Sequence, residues 1–310
     1  MPPHPSLGPA LTALVARYDR SWLATDPLIW PRRHADPRDR EVVAVVAALL
    51  AYGRVASIHG AIGEVLRRLG PSPSAALAPS RRGGLRDALD GFRHRFTAGA
   101  DVAWLLLGVA RAFDQAGSLG GYVGAHARGP EPLRAGLSAW VALSAGVPAS
   151  AGPLRRRARA FLLPDPARGG ACKRSLLLAR WCVRPDDGLD LGLWTGALSP
   201  RDLLVPLDTH VHRVARQLRL TRRRAPDWKA AVEVTRGLAA FDPDDPTRFD
   251  FALARPGIVG ACRHRHVPEI CAGCDLRTAC RLGTPRAPRT RAPARADAVP
   301  TSRRRTSGSS

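Results

Sequence analysis

The chain has 310 residues, long enough for one large or two small domains with a substantial core, and its 45% apolar content excludes a chain that is disordered throughout. Its formal net charge of +22 makes a polyanion, nucleic acid first, the partner to consider, and leaves DNA and RNA both open. The longest apolar run, 42–51, is ten residues, about half of a membrane span of roughly 20. The first residues lack a basic start followed by an apolar stretch, so a soluble, cytoplasmic protein without a membrane partner is expected, nucleoid-associated if it binds DNA. Only Lys173 and Lys229 among 48 basic residues are lysine, the mark of a coding bias toward arginine that contributes to the charge.

Ala/Leu/Arg segments with helical spacing recur along the chain, and alternating β-branched runs are scarce, so the fold class is all-α. Helices are predicted near 8–18, from Pro37 with Asp36 as N-cap, then near 54–69, 101–116, 131–145, 153–162, 171–182, 208–219, 228–239 and 246–254. Gly/Pro/Ser segments such as GPSPSAALAPSRRGG and SAGVPASAG separate them. From Arg281 onward the composition changes to eight arginines, one aspartate and almost no large apolar residue, which reads as a disordered basic tail over 282–310.

Four of the six cysteines fall within CRHRHVPEICAGCDLRTACR: Cys262, Cys271, Cys274 and Cys280, spaced C-x8-C-x2-C-x5-C. In a cytoplasmic protein such clustering points to metal ligands rather than disulfides. One short knuckle with single cysteines on either side fits a [4Fe–4S] cluster wrapped by a continuous loop. Zinc is the alternative, with His264 or His266 replacing a cysteine. Cys172 and Cys182 sit in a helical segment and read as ordinary buried thiols.

Two further stretches carry chemistry. PLDTHVHRVARQLRL starts a helix at Asp208, whose plainest role is to accept free backbone N–H groups as an N-cap, worth about 1 kcal/mol. LPDPARGGACKRSLLLARW places a Pro/Gly-rich turn between two apolar helix ends, with Gly169 and Gly170 allowing backbone to approach a phosphate. Lys173 opens the second helix, and an amine, unlike a guanidinium, can deprotonate and attack as a nucleophile.

GGACK, LDTHVHRV and the C-terminal cysteine loop, in that order, resemble the helix-hairpin-helix/GPD superfamily of DNA glycosylases, in the iron–sulfur branch typified by endonuclease III. Within it the chain is most similar to an uncharacterised bacterial family of unknown function. The resemblance covers roughly 36–70 and 155–281, and the cysteine and LDTHVHRV motifs are specific together and weak apart. It implies two helical lobes: an N-terminal helix over 1–35 packing with the cluster lobe, a lobe over 36–207 carrying the hairpin at about 155–182, and a cluster lobe over 208–281. It further implies a base-excision DNA glycosylase, with or without AP-lyase activity, acting on a flipped base. Asp208 would then be the catalytic carboxylate and Lys173 the candidate Schiff-base nucleophile. Gly169, Gly170, Arg174, Arg213, Arg263, Arg265 and Arg277 would contact DNA, and Tyr52 or Arg54 would serve as the wedge entering the vacated base site. Cys262, Cys271, Cys274 and Cys280 would hold the cluster.

The chain departs from that pattern in several places, and ALLAYGRVAS replaces the family's pattern for the wedge residue. The hairpin reads LPDPARGGACK instead of L-P-G-x-G-x-K, and the lysine and aspartate stand 35 residues apart with WCVRPDDGLDLGLWTGALSPRDLLVP between them. The first cysteine gap is eight residues instead of six, and the segments 71–100 and 117–152 have no counterpart. A non-catalytic nucleic-acid-binding protein on the same scaffold is the alternative reading, favoured if Leu193 or Trp194 of the inserted segment fills the substrate pocket.

Overall fold

The computed structural model describes residues 4–147 and 153–283; the expected basic tail from 284 onward lies outside them. Of the described residues about 60% are helix and 1% strand. Among the described residues no helix is long and apolar enough to cross a membrane.

The centre is α2 (Pro37–Leu49). Asp36 caps it through Arg38 N (2.7 Å) and Asp39 N (3.1 Å), and Pro37 occupies its first turn. Every residue from Val42 to Leu49 is fully buried. A helix apolar on all sides needs neighbours on all sides. They are α3 (Val55–Leu69), α5 (Gly99–Ala116), α9 (Lys173–Val183) and the short 3-10 turns over 27–33. Between α3 and α5 run α4 (Leu85–Ala88) and a two-stranded hairpin, β1 (Arg93–His94) with β2 (Thr97–Ala98), paired Arg93↔Ala98 and His94↔Thr97.

The segment from 117 onward, without a counterpart in the resemblance, forms α6 (Leu119–His126) and α7 (Pro132–Ala145), which pack on α5. Gly136 lets α7 lie against the Val123 carbonyl of α6, where a Cβ would clash with backbone. The inserted segment after Val183 folds back on α9 through Leu191 N to Trp181 O (2.7 Å) and Trp194 N to Cys182 O (2.8 Å). It delivers Trp194 into the core, where Nε1 donates to Glu41 Oε1 at 2.6 Å. Glu41 also accepts the first free N–H groups of α6, from Leu119 (3.2 Å) and Gly120 (2.8 Å). One buried carboxylate therefore joins α2, α6 and the insertion, and its burial raises its pKa.

Helix α8 (Pro153–Leu162), a 3-10 turn (Pro166–Arg168) and α9 make a hairpin. The Gly169 carbonyl accepts from Trp228 N (3.0 Å), fixing the turn to α11 (Trp228–Ala239). The chain then runs through α10 (Thr209–Gln217), α11, α12 (Asp250–Ile258) and α13 (Pro268–Ala272). The first part of the helix predicted over 246–254 is a 3-10 turn, Pro246–Phe249. Helix α1 (Leu7–Arg17) packs on α12, and Arg17 bonds Asp275 at 3.0 Å. The buried side chains form one continuous cluster, so no break in the core marks the boundary at 207.

Glu41→Ala strands three buried donors and is expected to lower unfolding stability by about 3 kcal/mol, measured by urea denaturation. Glu41→Gln, which keeps an acceptor oxygen, is expected to lose less; equal losses would mean the bonds to Gly120 and Trp194 contribute nothing.

Candidate active site

Asp208 is where its sequence context puts it, at the N-cap of α10, with Oδ1 accepting from Val211 N at 2.7 Å. Lys173 is the first residue of α9, and its Nζ donates to the Ala51 carbonyl at the end of α2 (3.5 Å). After α9 the intervening chain loops away: the insertion packs against α2 and α9, and a stretch at 203–207 returns the chain, held by Val205 N on Thr235 Oγ1 (3.0 Å). As a result Lys173 and Asp208 line the same cavity, of about 690 Å³. That lies within the roughly 300–1,000 Å³ usual for small-molecule sites and suits a nucleoside. Neither Leu193 nor Trp194 is among its lining residues.

Apolar side chains, Val55, Ile58, Leu177, Leu207 and Ile258, make much of the wall. The polar remainder includes two buried arginines and a carboxylate absent from the sequence-based candidates. Arg255 pairs with Asp26 and donates to Thr25 Oγ1 at 3.2 Å. Arg180 bridges Asp250 (2.8 Å) and Asp190 (3.0 Å). Asp250, at the start of α12, is buried and lines the cavity, and its Oδ1 has no hydrogen-bond partner among the described residues. Burial raises the Asp250 pKa to about 6; Arg180 opposes that shift, Asp208 adds to it, and Lys173 opposes it. The ion pair does not restore an ordinary carboxylate because Arg180 divides its charge between two acids. No local pattern marks Asp250, since RFDFALAR reads as an ordinary helix start.

The candidates for DNA contact separate into outward- and inward-facing groups. Gly169 (φ 76°) makes the left-handed turn that glycine permits, and Gly170 is exposed beside it. Arg54, at the cavity rim, and Arg213, Arg263, Arg265 and Arg277 are exposed. Arg174 faces inward: its guanidinium lies over the rings of Phe161 (4.1 Å) and Tyr52 (4.9 Å) and donates to the carbonyls of Phe161 and Leu49. Burial brings its pKa down to about 10, and it is a packing residue with no face toward a phosphate. Tyr52 lines the cavity, but its hydroxyl donates to His94 O (3.0 Å) and is also hydrogen-bonded to Thr97 Oγ1 (2.6 Å), so it is a fixed wall. Cys172 and Cys182 are buried thiols, and desolvation pushes Cys172 up to about 12.

The other four cysteines line one cavity with Val214 of α10, with Leu218 just after it, and with Ile270, Leu276 and Leu282. Backbone N–H groups approach two sulfurs, His264 N to Cys262 Sγ (3.5 Å) and Leu282 N to Cys280 Sγ (3.4 Å). Among the described residues no three His, Cys, Asp or Glu side chains converge on a single-ion site. The loop is bound to the Asp208 helix by Arg281 N on Gln217 O (3.1 Å) and by the stacked rings of His210 and His264, 5.4 Å apart. Gly257 leaves the space that His210 fills.

The model of a family described as a protein of unknown function, DUF2400, matches residues 26–259. The chain belongs to that family. No curated protein and no solved structure matches it. The DUF2400 match contains Tyr52, Lys173, Asp208 and Asp250, all of which line the cavity, and it ends three residues before Cys262.

A carboxyl whose folded-state pKa is raised contributes stability that is fully present below the unfolded value, near 4, and lost as pH rises through about 6. Asp250→Asn keeps an acceptor for Arg180 and never ionises. Its stability relative to the parent is expected to climb by about 3 kcal/mol between about pH 4 and pH 7 and then level off. A pH-independent difference in urea midpoints would show that Asp250 does not retain its proton.

Proposed function

We propose that this protein is a base-excision DNA glycosylase that takes a flipped nucleotide into the cavity between α9, α10 and α12. The observation that carries this reading is the meeting of Lys173 and Asp208 in one nucleoside-sized cavity, despite the long insertion between them. The fold supplies a hairpin over 153–183 and exposed arginines for phosphates, consistent with the strong positive charge. That the inserted Leu193 and Trp194 leave the cavity open favours catalysis over binding alone.

In this mechanism Asp208, fixed by its cap to Val211 N, places negative charge beside the sugar as the N-glycosidic bond breaks and positive charge develops at C1′. The base leaves with the bonding electrons. Lys173, as the free amine, attacks C1′; loss of its proton and ring opening give an iminium that borohydride reduces to a stable secondary amine. Asp250 lies on the same cavity wall, and its neutral acid form can donate a hydrogen bond.

Cys262, Cys271, Cys274 and Cys280 would hold a [4Fe–4S] cluster. The four thiols line one largely apolar cavity, with backbone N–H groups aimed at two of the sulfurs, as thiolate-held clusters use. When bound, the cluster would serve as a cross-link that holds a loop carrying Arg263, Arg265 and Arg277 against the Asp208 helix.

The decisive experiment treats duplex DNA carrying one abasic site with anaerobically purified protein and borohydride. A covalent adduct is expected, absent with Lys173→Ala; on a duplex that still carries its base, Asp208→Asn is expected to release the base about 100-fold more slowly while keeping DNA binding. Tight binding without an adduct would remove Lys173 as nucleophile and leave base-release assays to separate a monofunctional glycosylase from a recognition protein. Equal loss of binding and stability in Asp208→Asn would reduce Asp208 to a cap. Iron and sulfide analysis is expected to give about four of each per chain, lost in Cys271→Ser; stoichiometric zinc would overturn the cluster.

A further inference from the structure

We infer that the β1–β2 hairpin presents Phe96 as a stacking surface for a nucleobase next to the one held in the cavity. This deepens the glycosylase reading and rests on it.

The hairpin loop consists of Arg95 and Phe96 alone, given the register His94↔Thr97. Two-residue loops of this kind usually carry Gly or Asn where the backbone turns left-handed. Here Arg95 adopts φ 55°, an arrangement that costs free energy and persists only because its surroundings impose it. They do so from the cavity side. The Tyr52 hydroxyl donates to His94 O and is bonded to Thr97 Oγ1, His94 Nε2 bonds the Tyr52 carbonyl at 3.0 Å, and Gly99 N closes the base on Phe92 O at 2.9 Å.

The result is an aromatic step. The Phe96 ring stacks on Tyr52, 5.5 Å between centroids at 10°, and Phe161 meets it edge-on at 4.5 Å. Tyr52 lines the cavity and also carries the stacked Phe96 ring. Phe96 is nevertheless 50% exposed, the largest exposure of any large hydrophobic residue among those described. An apolar ring that the fold positions by stacking, then leaves open to water, is built for a flat partner.

Charge identifies that partner. Arg95 lies 5.7 Å over the Phe96 ring and against Gly53, while Arg54 and Arg93 are exposed on the rim and the hairpin. Exposed aromatics interleaved with arginines are the pattern of nucleic-acid stacking surfaces, where bases stack on the rings and cations meet the phosphates. A base taken into the cavity leaves its neighbours unstacked on one side, and Phe96 stands one ring away from the cavity wall.

The test uses duplex DNA with an abasic site flanked by 2-aminopurine, whose emission reports stacking. Wild-type protein is expected to bind and change the emission. Phe96→Ala is expected to bind about tenfold more weakly and to leave the emission at that of the free duplex, while Phe96→Trp keeps both properties. Thermal melting controls for folding, and little change is expected because the hairpin is held through Tyr52, His94 and Thr97. DNA binding with wild-type affinity and emission in Phe96→Ala would overturn the stacking surface alone. A wild-type protein that binds no DNA would overturn the glycosylase reading itself.

Discussion

The guanidinium of Arg180 holds together the parts of the chain that the site requires. It projects from α9, fully buried, onto Asp190 of the inserted segment and Asp250 of α12. Arg184, one turn later, reaches Asp190, Asp187 and Asp245. Burying these charges carries a large desolvation cost, and removing one partner would leave the others uncompensated. Such a network contributes less to net stability than to selecting one arrangement. The insertion can fold back only where its acids meet α9, and that position keeps it out of the cavity.

The same arrangement explains the character of the cavity floor. Arg180 is shared between two acids, so Asp250 is left with one oxygen unpartnered and a proton affinity unusual for an aspartate. Asp208 lies within electrostatic reach, and Lys173 faces the same space. Capping and catalysis are compatible roles for Asp208: the bond to Val211 N fixes the carboxylate at a helix start, which is the preorganisation that electrostatic catalysis exploits. The cysteine loop joins this unit through Gln217, His210 and the first helix, so the thiol cavity and the Asp208 helix move as one body.

What was legible locally was read locally. Asp36 and Asp208 each precede an apolar-periodic segment and each caps a helix. Helix α6 escaped because LGGYVGAH is rich in glycine, which disfavours helix by about 1 kcal/mol per residue; here the glycines admit Trp194 and Ala197. The β-hairpin escaped because Arg-Phe is not a turn dipeptide, and its strained backbone is imposed by Tyr52 from 40 residues upstream. Arg174 follows Lys173 in sequence, yet one helical step of about 100° turns it from the cavity into the aromatic core.

The sequence by itself determined the helical class, the caps, the order of the lysine, aspartate and cysteine motifs, and the clustering of four thiols. These depend on contacts within a few residues, where spacing and side-chain chemistry suffice. Only the tertiary structure decided that Lys173 and Asp208 share a cavity, that Asp250 joins them, that Arg174 is buried and that Phe96 is displayed. Each of those depends on which way a side chain faces once distant segments pack. Here the deciding contacts, from Arg180 to Asp190 and Asp250 and from Tyr52 to Thr97, join residues that no local pattern links.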